Sequence, residues 1–121
     1  MGLDMYAMTT TEEFDSEVDF EVSIEKQFHR WLKHWNLHQW MTDLYSEKGG
    51  SANSFNLVNL ELTFDDLQTL DSVIRTGRLR ATNGFLYGEY DSKQTDEDLF
   101  FIKQSRKAIA SGLYVFYRAW W

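Results

Sequence analysis

The chain contains no cysteine and no proline. The first absence removes disulfides and thiolate metal sites, so any metal would need His or carboxylate ligands, and a reducing cytoplasm becomes the natural compartment. For the second we have no physical account. Long apolar runs are missing too. Nothing approaches the ~18 consecutive apolar residues of a membrane-spanning helix, and Met1-Gly-Leu-Asp-Met-Tyr6 has neither the basic start nor the apolar stretch of a signal peptide. No membrane partner is expected. Basic residues are absent from the first 25 positions, which hold eight acids: Asp4, Glu12, Glu13, Asp15, Glu17, Asp19, Glu21 and Glu25. The net charge of −7 is therefore seated at the N-terminal end, because the other eleven acids face twelve bases. Without a cluster of bases to neutralise phosphates, direct nucleic-acid binding is not expected. There is no nucleophile elbow, Walker loop or His-Glu-x-x-His motif, so catalysis has little support, and neither a metal nor a cofactor is expected.

At 121 residues the chain makes one domain, large enough to bury a single core without staples. Leu3, Met5 and Ala7 alternate with polar neighbours and predict a strand. Val18, Phe20 and Val22 alternate with Glu17, Asp19 and Glu21 and predict a second strand with an acidic outer face. Ser23 is a weak helix N-cap, and the helix it opens runs to about Glu47, where Gly49-Gly50 ends it. Val58, Leu60 and Leu62 predict a third strand. Thr63 with Asp66 caps a second helix that stops at Gly77, Phe85 to Tyr90 predicts a fourth strand, and Thr95 with Asp98 caps a third helix ending at Gly112. Leu113 to Trp121 closes the chain as a fifth strand. The expected fold is α+β, a mostly antiparallel sheet of about five strands covered by three helices.

The stretch Trp31-Leu-Lys33-His34-Trp35-Asn-Leu-His38-Gln-Trp40 holds three of the five tryptophans and two of the three histidines. At ~100° per residue, Ile24, Phe28, Trp31, His34, Trp35, His38 and Tyr45 share one face of a helix. Trp40 falls on the opposite side with Lys33 and Asn36. A helix apolar on two sides needs a second cover, which the chain itself, a partner or a ligand could supply. His34 and His38 have the i, i+4 spacing of a two-histidine metal site, but no acid shares their face, so packed histidines bonded to backbone are the better reading. Lys33 and Trp40 together could hold a phosphate and stack a base. At the C-terminal end, alternation puts Phe116, Arg118 and Trp120 on one strand face and Tyr117, Ala119 and Trp121 on the other. At least one of these aromatics therefore falls outside a one-sided core. Glu17, Asp19 and Glu21, spaced as on a strand, would approximate the phosphate repeat of DNA.

The pattern Trp31-x-Lys33-x-x-x-x-His38-x-Trp40, the opening Met1-Gly-Leu-Asp-Met-Tyr6, Gly84-Phe-Leu-Tyr-Gly88 and the closing Tyr117-Arg-Ala-Trp120-Trp121 together resemble a family of small proteins from tailed phages and prophages. The similarity runs nearly the whole length. The chain departs from the family pattern at Trp35, where Asn is usual, at Leu86 and Tyr87, where Phe is usual, and at Ala119, where Ser is usual. Some members carry a phosphoglycerate kinase label, but this chain is far too short for that two-domain enzyme and lacks its nucleotide-binding loops. The resemblance implies a phage accessory, counter-defence protein acting in the host cytoplasm. Two expectations follow from it. In the first, the protein sequesters a nucleotide-derived small molecule without catalysis, in a pocket lined by Trp31, Lys33, His38, Trp40, Tyr87 and Trp120. In the second, it inhibits a host protein, or partly mimics DNA, through the acidic stretch Glu12 to Glu25. Homo-oligomerisation is compatible with either.

Overall fold

Alternation from Leu3 places β1 (Asp4–Thr10) at the centre of a four-stranded antiparallel sheet, in the order β2 (Lys26–Leu32), β1, β4 (Tyr114–Trp120), β3 (Leu60–Glu61). The computed structural model describes residues 2–79 and 92–121. Three helices, α1 (Trp35–Glu47), α2 (Phe64–Arg75) and α3 (Ser92–Ala110), complete an α+β fold with four strands among the described residues, close to the expected five. The expected strand at 85–90 lies outside the described residues. Among the described residues, no helix is long and apolar enough to cross a membrane.

Strand register sorts the side chains onto two faces. Met5 pairs with Trp31 and Ala119, and Ala7 with His29 and Tyr117, while Leu60 lies beside Tyr117. This inner face packs with Leu37 and Met41 of α1, Leu67 and Leu70 of α2, and Phe101 and Ile102 of α3 into one core. Asp4, Tyr6 and Met8 point the other way, beside Trp120, Arg118 and Phe116 of β4.

Local signals fix the helix ends. α1, α2 and α3 each finish with a glycine at positive φ, Gly49 (89°), Gly77 (71°) and Gly112 (96°). In each, the next residue's N–H returns to the last turn, as Arg78 N–H does to the Val73 carbonyl at 2.9 Å. After α1, Gly50 also lies so close to the Tyr45 ring that a Cβ there would collide with it. Thr63 and Asp66 form a reciprocal capping box at the start of α2. Thr63→Ala should lower stability by about 1 kcal/mol, read as a shift in the thermal unfolding midpoint. Thr95, expected to cap the third helix, lies inside α3.

Two expected elements are corrected. The single helix from Ser23 to Glu47 is instead β2 followed by α1, separated at Lys33, whose φ of 55° breaks the chain direction. The 3.6-residue spacing of Phe28, Trp31 and Trp35 is overridden because central β1 needs a hydrogen-bonded neighbour on each side, and β2 supplies one. Ile24, placed on the core face by that helix, is 66% exposed. The acidic strand at 17–22 reduces to one bridge, Val18 to Leu60, because Asp19 turns the chain with a φ of 57°. Glu17, Asp19 and Glu21 therefore do not share the face of one continuous strand.

Candidate functional site

The sequence-predicted site residues fall in several places. Trp31 is core: its indole Nε1 donates to Asp98 Oδ1 at 2.9 Å, and His34 Nε2 reaches Asp98 Oδ2 at 2.7 Å. Asp98 on α3 is fully buried and thereby ties β2 and the start of α1 to the third helix. His34 stands at the N-cap of α1 but makes no capping bond with its side chain. An Asp–His pair can orient a general base, yet these two side chains are only 1% and 4% exposed, which keeps substrate away.

His38 is core as well. Its Nδ1 meets the Tyr117 hydroxyl at 2.8 Å, and its ring stacks on Phe55 at 5.4 Å with the edges of Trp35 and Trp121 at 6.0 Å. Burial lowers the His38 pKa to about 4 and raises the Tyr117 hydroxyl well above its usual range. At neutral pH both are uncharged. The two histidines at i, i+4 thus part company, His34 bonded to Asp98 and His38 to Tyr117. No cluster of three or more metal-ligating side chains forms among the described residues.

Trp40, the residue without an obvious cover, is half-buried against its own chain. It lines a cavity of about 310 Å³ shared by α1 and α2, with Asp43, Glu47 and Asp66 among its walls. Three carboxylates there disfavour an anion. Lys33 is exposed at the turn before α1 and is not among the residues lining that cavity. Trp120 stands on the outer sheet face, 58% exposed. Tyr87 lies outside the described residues. Trp31 and His38 do approach each other, through Tyr117, whose ring centroid is 6.3 Å from one and 6.1 Å from the other.

The outer sheet face is where exposed chemistry gathers. Half of it is covered by the acidic segment: Phe14 and Phe20 stack at 3.8 Å, and Phe20 meets the edge of Phe116 at 5.5 Å. Glu12 pins this segment by accepting the N–H groups of Ser23 and Ile24 at 2.5 and 2.9 Å, and these bonds, the one from Ile24 foremost, hold its carboxyl below the usual range. Asp19 bonds Tyr45 and Ser51, and Glu17 pairs with Lys48 at 2.8 Å. The other half is open. Leu32, Asp4 and Trp120 form one row across β2, β1 and β4, with Arg30, Tyr6 and Arg118 as the next. Leu32 and Trp120 stand about 10 Å apart, two strand spacings. Leu57 extends the row, its N–H donating to the Ala119 carbonyl at 2.8 Å.

Arg118 is locked in this surface. Glu25 grips it through two bonds of 2.9 and 2.7 Å, and Asn59 Oδ1 accepts from its Nε at 2.8 Å. Beside it opens a cavity of about 510 Å³ bordered by Leu57, Phe20, Asp19 and Glu21. Leu32 and Arg30 escape a sequence reading that makes β2 a helix, and Tyr6 becomes their neighbour only through the pairing of β1 with β2. The stretch Lys26–Leu32 carries no apolar alternation that would have announced a strand.

Comparison of the chain with protein-family models, with curated proteins and with solved structures finds no match in any of the three.

Proposed function

We propose that this chain is a non-catalytic binding protein, a phage accessory factor that acts by occupying a host protein with the open end of its outer sheet face. The observation that carries this reading is the row Leu32, Trp120 and Leu57, exposed at 63%, 58% and 58%. An acidic chain that leaves three large apolar side chains in water along one row, with Asp4 between Leu32 and Trp120, presents a docking surface, and Trp is the residue type that most often dominates one. The rim indicates the partner. Asp19 and Glu21 border the neighbouring cavity, and its one base, Arg118, is already neutralised by Glu25. A partner with an apolar patch fringed by Lys or Arg fits this surface.

The test is affinity capture with the full tagged chain in host cells, with Trp120→Ser and Leu57→Ser run in parallel. The expected result is a partner whose affinity for Trp120→Ser falls by about thirtyfold, as loss of a central anchor predicts, while the unfolding midpoint stays near that of the parent. A partner held equally by all three proteins would overturn the reading. So would self-association abolished by Trp120→Ser, because the face would then be a subunit contact.

A further inference from the structure

On the helical side of the molecule the charge reverses. A groove of about 400 Å³ between α2 and α3 is lined by Arg75, Lys103 and Arg106 with one acid, Asp71. Three bases against one acid leave a local charge of about +2 on a chain whose net charge is −7. The cavity at Trp40 has three acids and no base, and the one on the sheet has two acids and Arg118.

Two of the three cations are held in place. Asp71 Oδ1 accepts from Arg75 Nε at 2.6 Å, and Asp71 Oδ2 lies 3.5 Å from Arg106 Nη1, so one carboxylate organises two guanidiniums. The Arg106 guanidinium also lies over the Phe64 ring at 5.5 Å. Its Nε is buried and meets no hydrogen-bond acceptor among the described residues. A fixed guanidinium beside a groove is suited to phosphate oxygens through its terminal N–H groups, while the buried Nε is out of a ligand's reach. Phe100, Lys103 and Arg106 follow at i, i+3, i+6 along one stripe of α3, and Phe100 is 54% exposed at the groove. An exposed ring about one turn before Lys103 and two before Arg106 offers a base something to stack on while its phosphates reach the cations.

We propose that this groove binds a nucleotide, with the phosphates on Arg75, Lys103 and Arg106 and the base on Phe100. The volume suits a small ligand. A nucleic-acid strand is disfavoured because a net charge of −7 repels a polyanion beyond the few phosphates the groove can neutralise. The site is separate from the sheet face, and failure of either proposal leaves the other standing.

Calorimetry of the full chain with ADP, pyrophosphate and adenosine tests it. ADP should bind one to one, pyrophosphate more weakly, and adenosine more weakly still. Lys103→Gln and Arg106→Gln should each weaken ADP about tenfold, the size expected for a charge-assisted bond. Lys103 is exposed, so its variant leaves packing untouched. Phe100→Ala should weaken ADP and leave pyrophosphate unchanged. Absence of heat with both ADP and pyrophosphate would overturn the proposal, as would ADP binding that persists at full strength in the Lys103→Gln, Arg106→Gln double variant. Pyrophosphate as tight as ADP would overturn the stacking role of Phe100, and adenosine as tight as ADP the role of the cations.

Discussion

Asp98→Ala should cost about 3–5 kcal/mol of stability in urea unfolding at neutral pH. The carboxylate is fully buried and accepts from two buried donors, Trp31 Nε1 and His34 Nε2, which come from different elements. Removing it leaves both without an acceptor where water does not reach, and an unmade buried bond costs far more than a made one contributes. Asp98→Asn separates charge and acceptor count from shape. Its amide has one acceptor oxygen in place of two, so one of the donors loses its partner, and the cost should fall to about 1–3 kcal/mol. Arg30→Gln is the contrasting case, because its 3.4 Å pair with Asp4 is half-exposed. That change should stay within about 0.5 kcal/mol. An Asp98→Ala variant as stable as Arg30→Gln would show that the buried trio contributes nothing net.

What could be read from the sequence follows from the range over which each cause acts. Thr63 with Asp66, and Gly49, Gly77 and Gly112 after their helices, work within four or five residues, and each does what its residue type suggests. β1 was legible from the alternation of Leu3, Met5 and Ala7, all fully buried, and β4 from its run of aromatic residues, which is buried on both faces over 115–117. Trp120 is the aromatic that alternation required to fall outside the core. β2 was not legible, because Phe28, Trp31 and Trp35 fit a helical period and the deciding partner, β1, lies some 25 positions away in sequence. Asp19 defeats the acidic strand for a similar reason: it is drawn to Ser51 and to the Tyr45 hydroxyl, neither of which its neighbours announce. The core polar trio joins residues 64 and 67 positions apart, a distance over which no local pattern is informative. Both proposed surfaces depend on such long-range placement, the apolar row on pairing of β2 with β1 and β4, and the cationic groove on docking of α2 against α3.

Lowering the pH from 7.5 to 4.5 should cost the parent chain about 2.5 kcal/mol more than it costs His38→Gln. Burial is the sole cause that brings His38 from its ordinary 6.5 down to about 4 in the folded chain. The unfolded chain therefore takes up a proton from about pH 6.5 downward, while the folded chain resists until about pH 4. Stability from this group is fully present above pH 6.5 and is lost as the pH falls toward 4, at about 1.4 kcal/mol per pH unit through the window. Other groups titrate nearby. His29 is also lowered by burial, Glu12 and Asp19 are held low by their hydrogen bonds, and Glu61 is raised by burial with the opposite sign. These are common to parent and variant, so the difference between the two curves isolates His38. Glutamine keeps a carbonyl to accept the Tyr117 hydroxyl and cannot be protonated in this range. Parallel curves for parent and variant would mean that His38 takes up its proton at the same pH in the folded and unfolded chains, and that its surroundings of Trp35, Phe55, Tyr117 and Trp121 do not exclude the cation.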